Sequence, residues 1–172
     1  MVREWIPIST SPKGRLALAA AREFGARPYA DVTVTGLAEA AQVTTGALYH
    51  HFESKLGLYQ FVRSDVERRL TDRMAGAATA VPIASTGERL RAAMRVGFDF
   101  AVQARFTWLL SEPPIGEESD DDLATQLVGL FPSLPRPLGT ILAAAWRAAV
   151  GSAARGADPA DVRSALMRIR VD

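Results

Sequence analysis

The reactive side chains of this chain gather between Thr44 and Phe52, a stretch reading Thr-Thr-Gly-Ala-Leu-Tyr-His-His-Phe. It holds both histidines of the protein, a phenol and two hydroxyls. Metal binding and catalysis are the first chemistries to weigh. His50 and His51 are neighbours, so on a helix they point about 100° apart and cannot share one metal. There is no cysteine and no third histidine, which leaves a zinc site short of ligands. A serine nucleophile needs a histidine within reach, and both histidines sit in this one stretch. The chain is therefore read as having no catalytic residues, no metal and no cofactor. The acids Glu117, Glu118, Asp120, Asp121 and Asp122 form the second concentration of charge. They are expected to be a solvated loop whose last carboxylates favour the next helix N-terminus, with a cation site as the alternative.

Recognition is the chemistry left to the Thr44 stretch. Leu48 and Phe52 are one helical turn apart and form an apolar seam that can anchor a helix from behind. The remaining faces carry Thr44, Thr45, Tyr49 and His50, and Gly46 and Ala47 have almost no side chain. A slim helix of this kind can lie close against another surface, and a DNA major groove admits one helix.

The elements that must hold this stretch read as helices, and the fold class as all-α. A first helix starts at Ser11-Pro12, buries Leu16, Ala19, Ala20 and Phe24, and is closed by Gly25. Asp31 to Thr35 alternates like a strand but is too brief. A second, short helix runs from about Thr33 to Ala41. Gln42-Val43 leaves room only for a tight turn before Thr44 caps the third helix. Two short helices joined this way have the geometry of a helix-turn-helix. Ser54 caps a fourth helix with Leu58, Phe61, Val62, Val66, Leu70 and Met74 at three/four spacing, and Gly76 to Pro82 breaks it. Ser85 and Glu88 form a capping box for a helix carrying Leu90, Met94, Phe98 and Ala101. Further helices are expected near Leu123 to Leu130, from Leu138 to Ala154 with Gly156 as its stop, and from Asp158-Pro159 to about Ile169.

Composition narrows the class. The chain has 172 residues, 48 % of them hydrophobic, enough for a core. Its 20 basic and 19 acidic residues give a net charge of +1, too balanced to coat DNA by charge alone. Met1 to Pro7 has no apolar run of signal-peptide length, and no stretch is apolar enough to span a bilayer. The expectation is a soluble, cytoplasmic protein with no membrane partner.

The segment from about Leu16 to Phe61 resembles the TetR family of transcriptional regulators. The resemblance rests on Val43-x-x-Gly46-x-Leu48-Tyr49-x-x-Phe52-x-x-Lys55-x-x-Leu58. It implies that Thr33 touches a DNA phosphate, that Thr44, Thr45 and Ala47 face base edges beside Gly46, that Tyr49 meets a phosphate or a thymine methyl, and that His50 and Lys55 meet phosphates. Two residues depart from the family pattern. Gln42 stands where glycine is common, and Thr45 where a lysine or arginine is common. Arg3, Lys13 and Arg15 are candidates to compensate.

The resemblance further implies a DNA-binding domain over residues 1–55, a linking helix to about 75, and an effector-binding and dimerisation domain over 56–172. Met94, Phe98, Phe106, Trp108, Phe131 and Trp146 are core groups of which some would line a small-molecule pocket, with Arg105 or Asp99 orienting the ligand. Leu142, Ala145, Ala149 and Ala153, with Val162, Leu166 and Ile169, would pair with a second copy. The expected function is a homodimeric repressor on a pseudo-palindromic operator, released by a small-molecule effector of unknown identity. The alternative is an architectural, nucleoid-type DNA-binding protein without an effector.

Overall fold

The computed structural model describes residues 10–81, 85–115 and 122–170. Among them the chain forms nine α-helices and one 3-10 turn: α1 Pro12–Ala26, the 3-10 turn Tyr29–Asp31, α2 Val34–Ala40, α3 Thr45–Phe52, α4 Lys55–Thr79, α5 Thr86–Gln103, α6 Thr107–Ser111, α7 Asp122–Leu130, α8 Arg136–Ala154 and α9 Pro159–Leu166. No helix among the described residues is long and apolar enough to cross a membrane. The acids 117–121 and Arg3 lie outside the described residues, as does the side chain of Asp122.

Helix starts follow the expected chemistry. The hydroxyls of Ser11, Thr33, Thr44 and Ser54 accept the backbone N–H groups of Gly14, Gly36, Ala47 and Gly57. Ser85 and Glu88 close a reciprocal capping box. Each cap satisfies a donor that the helix itself leaves unpaired.

One hydrophobic cluster runs from α1 to α9. Leu16, Phe24, Leu37, Leu48 and Phe52 form its N-terminal end, and Leu58, Val62, Val66, Leu70 and Met74 on α4 carry it onward. α4 has 25 residues and so is about 37 Å long, and it packs lengthwise on α5. Gly97 permits that approach, since a Cβ there would sit 3.0 Å from both Leu70 Cδ1 and Met74 Sδ. On the far side α8 lies against α6 and α7.

Several expectations need correction. Gly25 is no cap, because α1 continues to Ala26. Its small size serves packing instead: a Cβ there would meet the Arg105 carbonyl oxygen at 2.3 Å. Gly76 lies inside α4, which ends at Thr79, so burial of Met74 and Ala78 overrides its weak helix propensity. The alternation at Asp31 to Thr35 holds no strand; it spans the end of the 3-10 turn and the cap of α2. Phe61 is 38 % exposed, not core. α9 stops at Leu166, short of Ile169.

Candidate nucleic-acid interface

α3 is anchored from behind as the sequence suggested. Leu48 is wholly buried and Phe52 is 7 % exposed, and the two face α1 and α4. Losing either large side chain would cost about 2–5 kcal/mol. Between α3 and α4 the chain turns in one residue. Glu53 has φ 66°, and the Ser54 amide donates to the Phe52 carbonyl at 2.7 Å. This three-residue turn is a strained form. Gly57 accommodates it, for a Cβ there would stand 2.2 Å from the Phe52 oxygen.

The turn between α2 and α3 is closed by a paired hydrogen-bond motif. The Val43 amide donates to Ala38 O at 3.0 Å and the Gln42 amide to Glu39 O at 3.0 Å. Gln42 takes φ 54°, the left-handed position that usually falls to glycine. The departure noted in the sequence is therefore a real strain on the reader's turn. Arg15 reaches it from α1, its Nη2 donating to Gln42 O at 3.5 Å.

The outward face of α3 is open. Thr44, Thr45, Gly46, Tyr49 and His50 are exposed, as is Thr33 at the start of α2, and Ala47 is half-buried. Tyr49 is 53 % exposed, so it is not a core aromatic. A Cβ added to Gly46 would touch only Thr44 Oγ1, at 3.7 Å. Nothing in the protein's own packing requires glycine there. The Thr33 and Thr44 oxygens are used as cap acceptors, but a hydroxyl keeps its own proton to donate. Thr35, exposed on α2 close to Thr33, was not picked out from the sequence. His50 and His51 stack edge to face at 4.9 Å, and no group of three candidate ligands among the described residues could hold a metal ion. Lys13 lies over the Phe52 and Phe61 rings, 5.6 and 5.3 Å from their centroids, at the edge of this face.

Lys55 has an internal task. Its Nζ donates to Tyr29 O at 3.0 Å and Val32 O at 2.9 Å, and lies 3.9 Å from the Tyr29 ring centroid. Two of its three donors are thus spent holding the chain that leads into Thr33.

A buried polar group behind the reader escaped sequence analysis. Arg63 Nη1 donates to Tyr59 Oη at 2.7 Å and to Leu109 O at 3.0 Å, while its Nε donates to Glu67 Oε1 at 2.9 Å. Burial would lower the Arg63 pKa, but Glu67 and Tyr59 outweigh that and raise it. Tyr59 is itself raised by burial, against the pull of Arg63. The signal was available: Tyr59, Arg63 and Glu67 recur every four residues beside the apolar stripe of α4, the spacing of a helical network.

The expected pocket and dimer residues divide. Met94, Phe98, Phe131 and Trp146 are at most 3 % exposed and belong to the core; Trp146 Nε1 donates to Met94 O at 3.2 Å. They are absent from the linings of four cavities among the described residues, as is the half-buried Trp108. Arg105 and Phe106 do line one, a cleft of about 530 Å³ against α1. Asp99 is paired with Arg163 at 3.1 Å. Leu142 and Leu166 are buried within their own subunit, at 1 % and 4 % exposure, so they are not surface residues. Ala145, Ala149, Ala153 and Val162 are half-buried, and only Ile169 is exposed. The outward face of α8 is instead Pro137, Ile141, Ala144 and Ala148. Small apolar residues occupy both faces of this helix, so periodicity alone did not tell them apart.

Comparison with known proteins agrees with this geometry. The sequence profile of "Bacterial regulatory proteins, tetR family" matches residues 17–61. The chain is 33 % identical over 69 residues to the HTH-type transcriptional regulator BetI of Klebsiella pneumoniae, a match covering 40 % of this chain and 35 % of that protein. It is 35 % identical over 89 residues to the HTH-type transcriptional activator FasR of Mycolicibacterium smegmatis, covering 51 % of this chain and 39 % of that one. These matches span well under half the length of the curated relatives. The fold is shared further. A TetR-family transcriptional regulator from Pectobacterium atrosepticum superposes with a TM-score of 0.65 at 21 % identity, over 93 % of this chain and 90 % of that one. The fatty acid degradation regulator FadR from Bacillus halodurans gives 0.59 at 15 % identity, over 90 % and 97 %. Residues 17–61 thus match the helix-turn-helix segment of the tetR family of bacterial regulatory proteins, and the helical fold around that segment is shared with solved regulators of the same description.

Proposed function

We propose that the protein is a sequence-specific DNA-binding regulator that acts as a homodimeric repressor and leaves its operator when a small molecule binds. The observation that carries the reading is α3, a helix with Leu48 and Phe52 sunk behind it and Thr44, Thr45, Gly46, Tyr49 and His50 turned outward. In this reading α3 enters the major groove. Thr44, Thr45 and Ala47 approach base edges, Tyr49 and His50 the adjoining backbone, and Thr33 a phosphate at the start of α2. Lys55 acts one step back, holding the approach to Thr33.

Dimerisation is supported by the outward face of α8, where Pro137, Ile141, Ala144 and Ala148 are exposed beside Arg136 and Thr140 and Ile141 is 61 % exposed. A second copy of the chain is its natural partner, since a two-fold interface presents the same patch twice. Two readers then enter successive major grooves roughly 34–36 Å apart. Occupation of a dimer across a promoter blocks transcription without any further contact. A ligand favours release only by its differential affinity for the two states, and DNA and ligand then oppose each other reciprocally.

The test is a footprint on the DNA upstream of the protein's own gene, with sedimentation at matched concentration. A protected pseudo-palindrome bound by a dimer supports the reading. Smooth retardation of any duplex without a footprint overturns it in favour of an architectural protein.

A further inference from the structure

The turn between α5 and α6 ends on a backbone conformation that its residue does not favour. Arg105 has φ 59°. Its amide donates to Val102 O at 3.1 Å, and the Phe106 amide to Ala101 O at 2.8 Å, the paired bonds that close a helix on a left-handed residue. Glycine takes that position without strain, and the same closure at the end of α8 uses Gly156, with φ 95°. At the α5 end the chain carries an arginine instead. Strain of this kind at a cleft is a reason to ask what the side chain does there.

The strained residue lines the cleft of about 530 Å³ between α1 and this turn. Leu18, Ala21 and Ala26 from α1 and Phe106 from the turn give the cleft apolar walls. Arg22 comes from α1 and Arg105 from the turn, so two guanidiniums stand on the two elements that form the cleft. Both are exposed, and neither is hydrogen-bonded or ion-paired among the described residues. The one carboxylate lining the cleft, Glu23, is taken by Arg27 at 2.6 Å. The cleft is therefore apolar along its walls and cationic at its polar groups.

We infer that this cleft binds an amphipathic carboxylate, its head held by Arg22 and Arg105 and its apolar body lying against Leu18, Ala21, Ala26 and Phe106. Guanidinium forks match a carboxylate's two oxygens, and a mostly apolar wall with a few convergent polar groups is the usual make-up of a small-molecule site. The inference rests on the effector reading above and gives that effector a class and a place. The place suits the role. α1 touches the turn so closely at Gly25 that a Cβ would reach Arg105 O, and α1 also packs on α2 and α3. A molecule wedged beside this contact acts on the support of the reader.

The test is calorimetric titration of the full chain with octanoate, and with octanamide as its neutral counterpart. The site predicts that octanoate binds and that octanamide binds roughly tenfold more weakly or worse. Arg22→Gln and Arg105→Gly should each weaken octanoate by about the same factor. Both residues are exposed, and Arg105→Gly relieves the backbone, so a thermal melt at or above that of the parent shows an intact fold. Absence of octanoate binding in the millimolar range, equal affinity for octanamide, or unchanged affinity in both variants overturns the site. Operator DNA is then titrated with and without octanoate. Binding at the cleft that leaves DNA affinity unchanged supports the carboxylate site and overturns its role as the effector seat. Release of the protein carrying both Arg22→Gln and Arg105→Gly from DNA by octanoate as readily as the parent overturns the assignment of the cleft while leaving the effector reading standing.

Discussion

Lys55 and Glu112 hold the same residue from two sides. Lys55 Nζ donates to the carbonyl of Tyr29 at 3.0 Å, and the Tyr29 amide donates to Glu112 Oε2 at 3.3 Å. The Tyr29 ring meanwhile packs edge-on against Tyr59, with centroids 4.8 Å apart. Lys55 opens α4 and Glu112 caps the end of α6, so both parts of the chain meet at the turn that leads into α2. The position of Thr33, and with it the first helix of the reader, depends on this double hold.

Lys55→Ala therefore tests position against charge. It leaves the Tyr29 and Val32 carbonyls without their donor, which should lower stability by about 1–3 kcal/mol. Operator affinity should fall with the slope of log affinity against log salt nearly unchanged. A slope flatter by about one unit with stability intact would instead make Lys55 a phosphate contact.

Gln42 carries a strain that a smaller residue removes. Gln42→Gly should stabilise the fold by about 1 kcal/mol, offset in part by the looser unfolded chain. A thermal melt should rise by up to about 2–4 °C. A fall would mean that the Gln42 side chain makes a contact of greater worth than the strain.

Arg63 satisfies Tyr59, Glu67 and the Leu109 carbonyl at once, well inside the protein. Arg63→Met leaves Glu67 buried without its partner, and breaking such a pair from one side costs about 3–5 kcal/mol. Adding Glu67→Leu should recover most of that loss, because it removes the unpaired charge. Denaturant titration of the three proteins reads the cycle; equal stability of parent and single variant would contradict the network.

Alkaline pH should weaken the fold through its tyrosines. Burial raises the pKa of Tyr59 and Tyr29 above the usual 10.0. The folded state then keeps phenolic protons that the unfolded chain loses, so stability is complete below pH 10 and falls as pH rises past it. Denaturation at about pH 9 and about pH 11 measures the slope, and Tyr59→Phe should flatten it. A parent slope no steeper than that of Tyr59→Phe would contradict the assignment.

The parts of this fold that sequence foretold are those set by local chemistry. The caps at Ser11, Thr44, Ser54 and Ser85, the strained Gln42 and the seam of Leu48 and Phe52 all follow from residues within a turn or two of each other. Where distant elements decide, the sequence misled. Gly25 looked like a helix stop because nothing local announces that Arg105 presses against it. Leu142 looked like an interface residue because alanines on the other side of α8 disguise which face is outward. Lys55 reads from the sequence as a phosphate ligand, and its internal role stayed hidden because the carbonyls that take two of its donors lie 23 and 26 residues earlier.

Gly46→Leu decides whether α3 is a slim rod whose outer face meets DNA. Added atoms at Gly46 project into open space, 3.7 Å from Thr44 Oγ1 at the nearest, so the thermal melt should stay within about 2–4 °C of the parent's. Operator affinity measured on the same samples should fall by roughly a hundredfold or more, since an extra isobutyl group forces the helix out of the groove and breaks several contacts worth about 1–3 kcal/mol each. An unaltered melt together with unaltered operator affinity would contradict the account, because the duplex would then be read by some other surface.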